Sequence, residues 1–218
     1  MIPTIKDIQS TIFLILGDYS PVTPEMSIYC VILQHSSEIN RAREILKQVY
    51  CEELGWEPPK TNPINHRVED GMLKDDYDDK VIWLGAYDAD IMIGCARVFL
   101  GVKGTHEVEL FDPDNELFSK LPDSYIEINR IAVVPSYRRS NAVRIIMSYE
   151  FQLGMKYKMP ILTTTTVTKL IKDFEGIFYH VGTMRYYPED DETNVLVCWK
   201  PLDGFNYCQE RIHRSSKL

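Results

Sequence analysis

The sequence predicts an α/β chain of the α+β kind, with a mixed central sheet, a bulged fourth strand and helices on both faces. Three observations lead there. Apolar runs of strand length and stripes at helical spacing follow one another in the order β-α-β-β-β-α-β-α-β. An antiparallel hairpin closed by Asp88-Ala89-Asp90 feeds a strand-helix-strand unit, so the sheet mixes directions. The strand at 126–134 breaks its own alternation. Ile126 and Ile128 share a face, but Ile131 and Val133 continue that row one residue out of step, which implies an extra residue, a β-bulge near Asn129–Arg130.

Taken in order, residues 1–26 read as an N-terminal extension packed on the core, 27–203 as the main domain and 204–218 as a polar C-terminal tail. The extension contains I-F-L-I-L at 12–16. That run is far shorter than the ~20 apolar residues a bilayer crossing needs, and it lacks a basic start and a small-residue cleavage site. Residues 27–34 form a strand, and Ser36 or Ser37 can cap the helix after it. That helix, over 37–54, places Ile39, Ala42, Ile45, Leu46, Val49, Tyr50 and Leu54 on one stripe; Gly55 and Pro58-Pro59 end it. Residues 57–79 are polar and acidic, with Glu69, Asp70, Asp75, Asp76, Asp78 and Asp79. Strands at 80–87 and 91–100 pair across the hairpin, and a short helix covers 112–122. After the bulged strand, a helix from about 141 to 155 buries Ala142, Ile145, Ile146, Tyr149 and Leu153. The β-branched run I-L-T-T-T-T-V is a strand, 168–180 a weaker helix, and N-V-L-V-C-W at 194–199 the last strand.

Composition narrows the function. Apolar residues make up 44% and charged residues 26%, as in soluble globular proteins. A net charge of −8 argues against nucleic acid as partner. The five cysteines (30, 51, 95, 198, 208) are scattered, with no C-x-x-C pair and no metal-ligand spacing. Reduced thiols, a cytoplasmic location and no metal site are the expectation.

Four segments carry a family resemblance: R-E-I-L-K-Q-V-Y-C-E-E-L-G-W at 43–56, D-D-Y-D at 75–78, I-G-C-A-R-V at 93–98 and E-I-N-R-I-A-V at 127–133. In this order they resemble the GNAT acyltransferases, within them the branch of acyl-homoserine-lactone synthases and long-chain N-acyl amino acid synthases. The chain departs from that pattern in three places. Leu46 stands where the family's first helix has an arginine, with Arg43 one turn earlier. Leu73 replaces the leading glutamate of the lactone synthases' acidic set. Arg138-Arg139-Ser140-Asn141-Ala142-Val143 lacks the glycines of the acetyl-CoA enzymes' phosphate turn.

The resemblance implies an N-acyltransferase that moves a fatty acyl group from acyl carrier protein or acyl-CoA to the amine of an amino acid-like acceptor, by direct attack and with no tightly bound cofactor. Glu127 is the expected general base, relieving a deprotonation that costs roughly 3–4 kcal/mol at pH 7; a structural ion pair with Arg130 or Arg97 is its bland reading. Tyr179, placed near the end of the last helix, would protonate the leaving thiolate. The N–H groups of the bulged strand at Ala132 and Val133 would bind the thioester. Arg138, Arg139, Ser140, Asn141 and Arg144 would meet the phosphopantetheine arm or an acidic carrier. Asp75, Asp78, Arg97 and Arg130 are the expected acceptor-binding set. Cys95 reads as a packed thiol. A catalytically idle module binding an acyl carrier or protein partner is the alternative; an acetyl-CoA acetyltransferase or a lactone synthase fits less well.

Overall fold

The computed structural model describes residues 28–60, 62–112, 116–166, 168–186 and 192–215. The expected N-terminal extension lies outside the described residues. Seven strands form one sheet in the order β1-β4-β5-β6-β7-β9-β8: β1 (Ile28–Ile32), β4 (Ile82–Asp88), β5 (Ile91–Val102), β6 (Ser124–Val133), β7 (Ile161–Thr165), β8 (Tyr179–Met184) and β9 (Thr193–Cys198). β6 and β7 are parallel; every other pair is antiparallel. A two-stranded ribbon, β2 (Arg67–Glu69) and β3 (Met72–Lys74), stands apart and leads into the acidic segment.

Helices cover both faces, as the sequence predicts. Helix α1 (Ser36–Leu46) lays Ala42, Ile45 and Leu46 against Trp83, Cys95 and Ala132. Its start is closed by Glu38, whose carboxylate accepts the His35 N–H at 3.0 Å, rather than by Ser36 or Ser37. The helix then widens into a π-helical stretch, Lys47–Glu53. Such widening is common beside functional sites, and here it carries Tyr50, whose hydroxyl donates to the Ile131 carbonyl at 3.3 Å. On the other face, α2 (Ala142–Tyr157) and α4 (Pro201–Ser215) pack Ile146, Phe151 and Cys208 against Ile126, Ile128 and Val133.

The bulge lies where the parity break predicts it. Cys95 pairs with Ala132 and Arg97 with Asn129, so Ala96 on β5 faces two residues, Arg130 and Ile131, on β6. Arg130 takes φ +55°, the left-handed conformation that the extra residue demands. The switch returns Ile131 and Val133 to the α2 side with Ile126 and Ile128. Opposite it, Gly94 admits close approach: a Cβ there would meet the Ala132 carbonyl oxygen at 2.8 Å.

Three expectations are corrected. The helix expected over 168–180 ends at Asp173 as α3 (Thr168–Asp173). Gly176 at φ +83° turns the chain, and Tyr179–Met184 joins the sheet edge as β8, because pairing with β9 satisfies its backbone. The expected helix at 112–122 is replaced by two 3₁₀ turns, Val108–Phe111 and Phe118–Lys120. The polar tail at 204–218 is largely helical. Phe205, Cys208 and Ile212, at spacings of three and four, give α4 an apolar stripe. Gly154 and Gly204 let α4 approach α2, since a Cβ on either would meet Pro201 or Phe151 at under 3 Å. Among the described residues no helix is long and apolar enough to cross a membrane.

Candidate active site

The parting of β6 and β7 opens the sheet. The two strands pair only over Ile126–Ile128 and Ile161–Thr163. Beyond that, β7 continues beside β9 to Thr165 while β6 stays with β5 to Val133. Backbone groups along a strand point alternately to its two neighbours. Val134 donates its N–H to Ile93 on the β5 side at 3.0 Å, so the Val133 N–H points the other way, toward the opening. The Val133 carbonyl accepts Arg138 Nε at 3.3 Å on that same side. Ala132, expected to share the donor role, shares instead the direction of Val134 and faces β5.

Beside the opening lies a buried ionic cluster. Arg97 Nη1 donates to Asp75 Oδ1 and Oδ2 at 2.8 and 2.7 Å and to Asp78 Oδ1 at 3.0 Å; Nη2 pairs with Glu107, and Nε donates to Asn129 Oδ1 at 3.0 Å. Arg130 Nη2 donates to Glu107 Oε1 at 2.8 Å and contacts His66 Nε2. Arg43 Nε donates to Asp78 Oδ2 at 2.9 Å, so the arginine one turn before Leu46 does reach the acidic motif. Among the described residues Glu127 is hydrogen-bonded to no arginine. Its Oε1 accepts from Asn129 Nδ2 at 2.9 Å and its Oε2 from the Val108 N–H at 3.3 Å. The bulge thus brings Glu127 and Arg130 to one polar cluster, linked through Asn129 and Glu107.

This arrangement decides where protons sit. Burial pushes the Glu127 carboxyl up to about 8, and the Glu107 charge adds to the rise. Burial alone would also raise Asp75, but Arg97, the His66 hydrogen bond and Arg130 outweigh it and hold Asp75 well below the usual carboxylate range. Burial and then Arg130 push His66 down to about 4, so it is neutral at physiological pH. The three carboxylates Asp75, Asp78 and Glu107 formally balance the three arginines. Glu127 is the fourth acid, and burial with the Glu107 charge beside it favours its protonated form; burial and the Asp75 charge push Asp78 upward as well.

Several sequence-derived assignments change. Asp75, Asp78 and Arg97 have side chains only 3, 6 and 1% exposed, and they are spent on one another. They hold the site together and offer no open group to an acceptor; of the expected four, Arg130 keeps an exposed edge at 13%. Tyr179 is on a strand, not a helix, and is 55% exposed. It stands in register with Glu127 but three strands away, through Val197 and Leu162, or ~14 Å at the usual strand spacing. Tyr186, just past β8, is near enough for its ionisation to feel Glu127, Glu107 and Arg130; Tyr50 and Tyr77 also lie by the cluster. The Tyr186 hydroxyl bonds Thr164 Oγ1 at 2.8 Å, and burial, then the charges of Glu127 and Glu107, raise its pKa far above that of free tyrosine.

The basic turn is laid out as expected in part. Ser140 Oγ accepts the Ala142 N–H at 3.1 Å just ahead of α2, while Asn141, at the cap position, makes no side-chain capping bond and its Oδ1 accepts from Arg144 Nη1 at 3.3 Å. Arg138 is ion-paired with Glu53 at the end of the π-helical stretch, and Arg139 is exposed. Sequence reasoning missed Glu107, His66, Asn129 and Tyr186. The one available signal was arithmetic: two arginines on neighbouring core strands need more buried acceptors than a single D-x-x-D motif supplies.

Residues 46–148 match the acetyltransferase (GNAT) domain. The matched segment is a little under half of the chain, and the mixed seven-stranded sheet around it is that of a GNAT-like fold. Among solved structures it is similar to the CoA-dependent acyl-homoserine lactone synthase BjaI bound to SAM and isopentyl-CoA, at TM-score 0.67 and 18% identity over 85% of this chain and 89% of that one. It is also similar to the AHL synthase LasI (TM-score 0.59, 16% identity, 82% of this chain, 94% of that one). A third is FeeM, an N-acyl amino acid synthase from uncultured soil microbes (0.57, 11%, 80% and 91%). No curated protein matches the chain in sequence.

Proposed function

We propose that the chain transfers an acyl group from a pantetheine thioester, on acyl carrier protein or CoA, to the amine of an amino acid-like acceptor in a ternary complex. One observation carries this reading: the opening between β6 and β7 lies beside Glu127, a buried acid bonded to no arginine. The thioester lies along the open edge of β6, with its carbonyl oxygen on the Val133 N–H. The acceptor nitrogen attacks the carbonyl carbon. The oxyanion that forms is held by that N–H, a donor already oriented before reaction. Glu127 in its ionised form takes the proton from the acceptor's ammonium group through water. A base with a pKa near 8 is well matched to that task. As the C–S bond breaks, Tyr186 donates a hydrogen bond to the departing sulfur, and the second amine proton ends on the thiol. Amide and free thiol are the products.

The absence of glycines in the basic turn, and the ion pair that ties Arg138 to Glu53, favour a second reading: an idle module that binds an acyl carrier. Incubation of purified protein with acyl-carrier protein, acyl-CoA and a panel of amines decides between them. Thiol release coupled to amide formation is the expected result, with Tyr186→Phe slowed by about tenfold or more and Tyr179→Phe unchanged. No release with any pair, together with measurable carrier binding, would replace the transferase by the idle module.

A further inference from the structure

Glu107 joins the two arginines on the central strands to Glu127, and the loop that carries it is fixed on both sides. His106, Glu107 and Val108 are each at most 1% exposed. The His106 ring stacks on Tyr125 with centroids 3.8 Å apart, and the Glu107 carbonyl accepts the Leu110 N–H at 3.1 Å. The Glu107 carboxylate takes three donors: Arg97 Nη2, Arg130 Nη2 at 2.8 Å and Asn129 Nδ2 at 3.3 Å. Glu127 is held by two groups that Glu107 helps to place. One is the N–H of Val108, the next residue in the chain; the other is Asn129 Nδ2, which the two acids share.

We infer that Glu107 is a positioning residue for Glu127: it holds both guanidiniums off that carboxyl, and Glu127 becomes their anion when the Glu107 charge is lost. Charge counting supports this. Arg43, Arg97 and Arg130 face Asp75, Asp78 and Glu107. Without the Glu107 charge one buried cation lacks an anion, a costly state that an ionised Glu127 relieves. Arg97 already lies within electrostatic reach of Glu127. The other titratable groups around the two acids are His66, Tyr50, Tyr77, Tyr125 and Tyr186, with Glu109 bonded to the Tyr125 hydroxyl at 2.8 Å. Burial keeps His66 neutral and raises the four tyrosines, so none of these five changes charge between about pH 5 and 9. Asp78, raised by burial and then by Asp75, is bonded to Arg43 and Arg97. The kinetic consequence of the inference rests on the acyl-transfer reading; the exchange of charge does not.

The test is Glu107→Gln in the full-length chain, isotope-labelled at the glutamate carboxyls and titrated by NMR; the signal lost in Glu127→Gln assigns the Glu127 carboxyl. Glutamine keeps the size of the side chain and an acceptor oxygen, so a role in shape alone leaves the Glu127 midpoint at its wild-type value of about 8. The expected result is a midpoint lower by about one unit or more. The pH at which thiol release levels off should fall with it, to a plateau about tenfold lower, because the less basic carboxylate is the weaker base. Adding Glu127→Gln to Glu107→Gln should lower the melting temperature by more than the two single variants together, since neither acid is left to serve the arginines. A lowered midpoint in a chain that releases no thiol would uphold the exchange of charge and count against the acyl-transfer reading alone. A folded Glu107→Gln with an unmoved Glu127 midpoint, a Glu107→Gln that stays unfolded between about pH 5 and 8, or a double variant no worse than the singles combined would each overturn the inference.

Discussion

Glu150 gives a prediction that can be worked through. It lies in the middle of α2, fully buried, and among the described residues neither carboxylate oxygen has a hydrogen-bond partner. The groups whose titration its charge affects are Cys30 on β1 and Cys208 on α4, thiols rather than cations. Burial therefore pushes its carboxyl up from 4.5 to about 8. The sign follows from linkage. Between those values the folded chain keeps a proton that the unfolded chain releases, so stability falls as pH rises and is flat below about 4.5 and above about 8. A gap of about 3.5 units at ~1.36 kcal/mol each sets an upper bound of ~5 kcal/mol; the part that falls between pH 5 and pH 8 is ~3.5 kcal/mol. Glu127 is also raised and contributes with the same sign, so the wild-type curve alone does not isolate Glu150. The comparison with Glu150→Gln does, because both chains contain Glu127. Urea unfolding at pH 5, 6, 7 and 8 should give nearly equal stabilities at pH 5 and a variant that is more stable by up to ~3.5 kcal/mol at pH 8, with unchanged m-values. A difference that stays constant across this range would show that the carboxyl is solvated or paired, and the argument would fail.

Other outcomes follow from the site. The rate of amide formation at low substrate should rise with pH to a plateau above about 8, as Glu127 loses its proton; in Glu127→Gln the rate should fall by about 10²-fold or more and lose that dependence, which stopped-flow or thiol-release assays across pH 6–9 can read. Reversing Arg138 and Arg139 to Glu should weaken association with an acidic carrier, less so as salt rises, while turnover with a small pantetheine thioester suffers less; equal losses with both donors would remove the docking role. Gly94→Ala should cost about 1–3 kcal/mol in unfolding experiments, because the new methyl group meets the Ala132 carbonyl oxygen at 2.8 Å, and a neutral result would mean that β6 can shift.

What the sequence revealed and what it hid divide along a physical line. The bulge was legible because it leaves a local mark, a row of apolar residues that changes parity at Asn129–Arg130. Helices α1 and α2 were legible from their stripes, and Arg97 and Glu127 from motifs on strands. Glu107 and His66 left no such mark. Each is a single polar residue in a segment without periodicity, and it becomes part of the site only when arginines from distant strands close on it. Tyr179 drew attention because 168–180 reads as a helix and the family resemblance implies a tyrosine near the end of such a helix. The chain instead turns at Gly176, and pairing with β9 outweighs local preference, so Tyr179 goes to the sheet edge and Tyr186, seven residues later, comes within electrostatic reach of Glu127. The helix at 201–215 was missed for a different reason: its few apolar residues, Phe205, Cys208 and Ile212, sit among polar ones, and the stripe is narrow.

The open edge of β6 has a consequence for how such a molecule changes over time. The wall it presents to the opening is made of main-chain groups, Val133 N–H among them. A wall of that kind constrains the path of the chain and leaves the side chains above and below it free to be replaced, so long as the bulge and the gap persist. A shared architecture is then compatible with the 16–18% identity to LasI and BjaI. The constraint falls instead on the few positions that set the path of β6, Gly94 beneath the Ala132 carbonyl and Arg130 at its positive φ.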